Sequence, residues 1–192
     1  MKTVFYVALG KYEMDEFCYG TTRYIVNVNE RELALEPEEY VLWSLLSRQI
    51  MNDAELRLSA GYKMYAEHIN IDFDISQTLR RLAGRGLIAS GTGETDIDAL
   101  TDLMNCLYVI PIRSSLPFRI VCGAFLLFKL KLPFRSIIGM VFLSLTPEQK
   151  KIYRLAATKK MRVSELMKND KLSILNDIHR LYVKNKIMFA KE

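Results

Sequence analysis

Residues 35–46 read Leu-Glu-Pro-Glu-Glu-Tyr-Val-Leu-Trp-Ser-Leu-Leu, and residues 145–156 read Leu-Thr-Pro-Glu-Gln-Lys-Lys-Ile-Tyr-Arg-Leu-Ala. When the two are laid side by side, Leu35 falls on Leu145, Pro37 on Pro147, Glu38 on Glu148, Leu42 on Ile152, Trp43 on Tyr153 and Leu45 on Leu155. Each stretch reads as the start of an amphipathic helix. Proline suits the first helical position, where its missing N–H would have no partner anyway. In the second stretch Thr146 and Gln149 have the spacing of a capping box.

A second pair of segments lies downstream. Residues 79–88, Leu-Arg-Arg-Leu-Ala-Gly-Arg-Gly-Leu-Ile, align with residues 178–187, Ile-His-Arg-Leu-Tyr-Val-Lys-Asn-Lys-Ile. Leu79 meets Ile178, Leu82 meets Leu181, Gly86 meets Asn185 and Ile88 meets Ile187. Glycine and asparagine best tolerate the left-handed conformation that ends a helix, so both copies read as helix, stop, then apolar strand. The path from Leu35 to Leu79 is longer than that from Leu145 to Ile178, so the first copy carries an insertion. An insertion of about 11 residues is typical of loops. Two copies of one small module are expected.

The 192 residues suffice for one large or two small domains, and with 50% hydrophobic and 26% charged residues a real core is expected. Cys18, Cys106 and Cys122 are odd in number and far apart, without a CxxC pair. This argues against a disulfide framework or a zinc site and suggests a reducing, cytoplasmic setting. The short apolar run at the N-terminus gives way to acidic residues from Glu13, and reads as a strand rather than a signal peptide. Charge is divided unevenly. Residues 1–112 hold 10 Lys/Arg and 17 Asp/Glu, a net of −7, whereas residues 113–192 hold 17 and five, a net of +12. A basic half of this kind points to an anionic partner.

Residues 3–9 and 23–28 are rich in β-branched and aromatic types and read as strands, with a short helical turn expected at 12–18 between them. Residues 32–35 make a further strand. A first helix from Pro37 to about Gln49 buries Val41, Leu42, Leu45 and Leu46, with Trp43 in packing beside them. A second helix covers much of 52–68, and Ile71-Asp72-Phe73 makes a break. Asp74 or Ser76 then caps a third helix that ends at Arg85, with Ile75, Leu79 and Leu82 inward. Leu87–Ser90 reads as a strand, Gly91–Glu94 as a tight turn and Thr95 to Asn105 as a helix. Residues 107–145 are the most apolar part. Arg113, Arg119, Lys129, Lys131 and Arg135 interrupt them, so a spanning helix is not expected. The second module has helices over 147–158, about 163–168 and 172–185, then a strand at 187–190.

The order strand, helix, helix, helix, strand, Gly-rich turn resembles the winged helix-turn-helix superfamily. The resemblance is carried by Leu79–Ile88 and covers about residues 32–95 and, more loosely, 141–190. It implies duplex DNA binding through the third helix of each copy. Two features depart from the pattern: the first copy is acidic, and a helix follows where a returning wing strand belongs. The third-helix residues suited to DNA are Ser76, Gln77, Arg80, Arg81 and Arg85 in the first copy, and Lys171, Ser173, Asn176, Arg180 and Lys184 in the second. Arginine can bond guanine bidentately, asparagine and glutamine can bond adenine, and lysine neutralises phosphate.

Catalytic chemistry is sparse. His68 and His179 are the only histidines, no cluster has metal-ligand spacing, and Gly91-Thr92-Gly93 lacks the Lys-Ser/Thr ending of a phosphate loop. Asp96, Asp98 and Asp102 suit a helix N-terminus better than a cation. No enzyme activity, metal or cofactor is expected. The expected fold is helix-rich α+β, with tandem winged-helix-like modules and small antiparallel β-sheets. Residues 1–106 form the first unit, 107–144 an apolar connector and 145–192 the second unit. The expected function is non-catalytic double-stranded DNA binding, in transcriptional regulation, by a homodimer whose contact surface lies in 107–145. The alternative is a protein–protein interaction adaptor whose modules do not touch DNA. Membrane association through the apolar segment is a third reading, and integral insertion is not expected.

Overall fold

The computed structural model describes residues 2–18, 21–66, 74–112, 145–159, 161–166, 171–184 and 186–191. Its strands and helices come in the order β1 (Thr3–Ala8), β2 (Lys11–Cys18), β3 (Thr21–Val28), β4 (Arg31–Leu35), α1 (Pro37–Leu46), β5 (Met51–Asn52), α2 (Asp53–Ala66), α3 (Ile75–Gly84), β6 (Ile88–Gly93) and α4 (Asp96–Asn105). There follow β7 (Tyr108–Pro111), α5 (Pro147–Thr158), β8 (Met161–Arg162), α6 (Val163–Leu166), α7 (Lys171–Val183) and β9 (Ile187–Ala190). The protein is α+β, and the described residues form three small antiparallel sheets ordered β5-β1-β6, β2-β3-β4 and β8-β7-β9. The apolar stretch 113–144, with the dimer surface expected there, lies outside the described residues, as do the break at 71–73, His68 and Asn185.

Local chemistry accounts for the helix starts. In α1 the Glu36 N–H donates to Glu39 Oε2 (3.3 Å), completing a capping box ahead of Pro37. In α5 the Gln149 N–H donates to Thr146 Oγ1 at 3.2 Å, as the sequence predicts. Asp74, rather than Ser76, caps α3: its Oδ1 accepts from the N–H groups of Ser76 (2.9 Å) and Gln77 (3.2 Å).

The first and third sheets are connected alike. In each, the middle strand precedes the first helix, a two-residue strand follows that helix, and the last strand follows the third helix. Tyr6 of β1 sits opposite Met51 and Ser90, and Val109 of β7 sits opposite Met161 and Phe189. Met51 is separated from Met161 by the same interval as Leu35 from Leu145, and Ser90 from Phe189 by the same interval as Leu79 from Ile178. The strand registers thus repeat the two alignments of the sequence segments. Side chains repeat the relation. Trp43 Nε1 donates to the Leu9 carbonyl (3.1 Å), and the hydroxyl of its counterpart Tyr153 donates to the Ile112 carbonyl (3.2 Å). The Leu9 N–H donates to Leu87 O and the Ile112 N–H to Lys186 O, both at 2.8 Å.

Three expectations change. Residues 12–18 are not a helical turn but part of β2, which pairs along β3 in a meander. Leu107–Ile112 does not simply connect two units: Tyr108–Pro111 is the middle strand of the third sheet. Gly91-Thr92-Gly93 is not a turn but the end of β6. Both glycines allow α4 to cross β6, since a Cβ on Gly91 would stand 2.3 Å from Leu103 N and one on Gly93 2.4 Å from Ala99 N. As the sequence predicts, a helix and not a returning strand follows β6; β1 pairs along its whole length instead, from Thr3 opposite Gly93 to Ala8 opposite Ile88.

The meander packs on α1 through tyrosines, with Tyr24 and Tyr40 stacked at 3.8 Å between ring centroids. Buried side chains of both halves form one hydrophobic cluster, from Val7, Leu42 and Leu103 to Ile152, Ile178 and Phe189. Backbone bonds cross between the halves as well: the Gly10 N–H donates to Phe189 O at 3.1 Å, and Leu9 forms a parallel bridge with Phe189.

Tyr182, buried on α7, donates its hydroxyl to the Leu46 carbonyl at 2.6 Å. It thereby satisfies a carbonyl that the end of α1 leaves without a helical partner. Burial pushes the Tyr182 phenol well above its ordinary value, because a phenolate there would be desolvated. The folded state therefore holds this proton more tightly than the unfolded chain. The contribution to stability is complete below pH ~10 and is lost as pH rises beyond that, by at most about 1.4 kcal/mol per pH unit. Tyr182→Phe is expected to cost about 1–2 kcal/mol at neutral pH, through the orphaned carbonyl. Urea titrations at a series of pH values should find the gap to the parent narrowing above pH ~10.

Candidate nucleic-acid interface

The sequence predicts that the third helix of each half presents its polar face outward. On α3 the buried stripe is Thr78, Leu79 and Leu82. Gln77, Arg80 and Arg81 are exposed, whereas Ser76 is half-buried and accepts a hydrogen bond from Arg57 Nη2 at 2.8 Å. Arg85 is exposed as the sequence predicts, but it is already engaged. Its Nη1 lies 2.6 Å from Glu39 Oε2 and its Nη2 donates to the Ala34 carbonyl at 2.5 Å, bracing the end of α3 against α1 and β4. Arg81 also leans on Glu39, with Nε 3.9 Å from Oε1, and its Nη2 donates to Thr78 Oγ1 at 3.1 Å. The Glu39 side chain is only 4% exposed. A charge withdrawn that far from water must be paired, and these two guanidinium groups pair it.

The second half differs at the same place. Gln149, the counterpart of Glu39 in the aligned segments, is as deeply buried at 1% exposure, but neutral. It reaches the third helix by donating from Nε2 to Asp177 Oδ1 at 2.9 Å. On α7, Ile178, Leu181 and Tyr182 are buried, while Ser173, Asn176, His179, Arg180 and Lys184 are exposed. Lys171 opens the helix; its side chain lies outside the described atoms. Arg180 and Lys184 are the counterparts of Arg81 and Arg85, yet among the described residues neither has a carboxylate partner within 4.0 Å. Four residues on a helix rise about 6 Å, so Asn176, Arg180 and Lys184 form one row along one face.

Other candidates find local uses. Thr95 and Asp98 form the capping box of α4, and Asp102 Oδ2 accepts from the Thr92 N–H at 2.9 Å, fastening α4 to β6. Among the described residues no group of three or more His, Cys, Asp or Glu could hold a metal ion. No described helix is long and apolar enough to cross a membrane. Sequence reasoning passed over Glu39 and took Gln149 only as part of a capping box. Both are readable as caps, and only their difference in charge at matched positions marks their second role.

No protein-family model, curated protein or solved structure matches this chain.

Proposed function

We propose that this protein is a non-catalytic double-stranded DNA-binding protein, acting in transcriptional regulation, and that α7 is its principal contact with the duplex. The observation carrying this reading is the exposed row Asn176, Arg180 and Lys184 in the basic C-terminal half, on a helix anchored by the buried Ile178, Leu181 and Tyr182. A winged-helix reading is supported in each half by the succession of helix, two-residue strand, helix, helix and strand, with β1 and β7 taken to stand where the returning wing strand would pair. In that arrangement the third helix enters the major groove, Asn176 and Arg180 reach base edges, and Lys184 meets phosphate. A homodimer reading two half-sites is part of the proposal.

Fluorescence anisotropy of a random-sequence duplex at several salt concentrations tests it. Micromolar binding that weakens steeply with salt is expected. Arg180→Ala with Lys184→Ala should lower affinity at least tenfold and flatten the log–log salt slope by about two, since each phosphate contact contributes about 0.9. Absence of binding at low salt would overturn the proposal.

A second reading, a protein-interaction adaptor, is favoured by a specific observation in the first half. There Glu39 engages two third-helix arginines, while α2 leaves Leu58 and Tyr62 exposed by 64% and 71%, one turn apart on one face. The two readings can hold together, with the second half on DNA and the first on a protein.

A further inference from the structure

The two third helices are built to one plan but differ in the charge of the side chain behind them. Glu39 and Gln149 hold the same position in their capping boxes, match in the aligned segments and are both buried. Behind α3 the carboxylate spreads over Arg81 and Arg85; behind α7 the amide turns to Asp177 and leaves Arg180 and Lys184 without a carboxylate among the described residues. We infer that Glu39 is an internal counter-ion that withdraws Arg81 and Arg85 from polyanion binding, so that one buried residue decides which of the two third helices can engage duplex DNA. This rests on the DNA-binding reading above.

The physical argument is competition. A phosphate that draws Arg85 away must take it from an oxygen 2.6 Å away on a carboxylate that is itself nearly buried. Stripping that carboxylate of Arg85 would leave a buried charge with only the 3.9 Å contact to Arg81, which is unfavourable. A phosphate approaching α3 also meets the negative charge of Glu39 directly behind the arginines. At α7 the corresponding amide carries no net charge, and the carboxylate it bonds, Asp177, makes no ion pair with Arg180 or Lys184, so among the described residues none has to be broken. Arg80, exposed on α3, remains available in either case, so the device lowers the affinity of the first helix rather than abolishing it.

Glu39→Gln tests this, because it installs in the first half the side chain that the second already uses in an intact capping box. The full-length parent, Glu39→Gln and Glu94→Gln are titrated into a fluorescent random-sequence duplex across a salt series, with circular dichroism verifying that each is folded. Glu94→Gln makes the same change in net charge at an exposed site beyond β6. Glu39→Gln is expected to bind several-fold more tightly at low salt, with a log–log slope steeper by about one, while Glu94→Gln stays within twofold of the parent. Arg81→Ala should leave the parent unchanged but remove part of the gain in the Glu39→Gln background, the non-additivity expected of coupled residues. Arg81 is exposed at 53%, so removing it is not expected to unfold either background.

If the parent binds and Glu39→Gln matches it, or Glu94→Gln gives the same gain, the counter-ion inference is overturned while the DNA-binding reading stands. If the parent fails to bind at low salt and Glu39→Gln binds, the DNA-binding reading of the native protein falls, and with it the claim that Glu39 selects between the two helices. Failure of all variants at low salt overturns both.

Discussion

Replacing Gly91 with alanine is expected to remove about 3 kcal/mol of stability, at the upper end of what overpacking usually costs. The new Cβ would stand 2.3 Å from Leu103 N and 2.4 Å from Ala99 O, both backbone atoms of α4. A flexible side chain could swing aside at little cost. A helix backbone cannot, because Ala99, Leu103 and Met104 of α4 are buried in the core and would have to move with it. At position 190, opposite Tyr108 as Gly91 is opposite Phe5, an alanine is already present, so the strand itself accepts a Cβ. The crossing helix makes the difference. The melting temperature should fall by about 6–12 °C. Gly61→Ala, at an exposed site of α2 with nothing within 4 Å, should instead gain up to about 1 kcal/mol from helix propensity. Equal effects at the two sites would contradict the close crossing of α4 over β6.

Trp43→Ala should be comparably severe, costing about 3–5 kcal/mol, as usual when a large buried aromatic is truncated. Trp43 is 3% exposed and fixes more than its own volume. Its Nε1–H donates to the Leu9 carbonyl, the Leu9 N–H donates to Leu87, and Leu9 meets Phe189 where the two halves adjoin. Truncation leaves both a cavity and a buried carbonyl without its donor. Trp43→Phe keeps most of the volume and loses the hydrogen bond, so a smaller loss of about 1–3 kcal/mol is expected. Trp43 is the sole tryptophan, so unfolding has to be followed by circular dichroism rather than fluorescence. A wild-type midpoint for Trp43→Ala would contradict the anchoring role.

Much of the fold is legible along the chain. Apolar periodicity marks α1, α3 and α5, and cap chemistry fixes the starts at Asp74, Thr95 and Thr146. The two alignments of paired segments recur as strand registers around β1 and β7. Local resemblance misleads elsewhere. Gly-Thr-Gly reads as a turn because glycine favours turns, but here it answers a helix that lies against the strand. Acidic, aromatic residues 12–18 read as a helical turn until their pairing with β3 is known.

For the candidate site, the sequence by itself determined which residues lie on the third helices and which of them face away from the core. Helical period and the apolar stripe are properties of neighbours along the chain, and Asn176, Arg180 and Lys184 do face outward as that pattern requires. Only the tertiary structure decided what those cations meet. Arg85 and Glu39 are 46 residues apart, and their pairing depends on how α3 packs against α1. The same packing brings a neutral amide behind α7. A one-dimensional pattern can count charges on a helix face, but whether a charge is free to act depends on the field of residues distant in sequence, and that field exists only once the chain is folded.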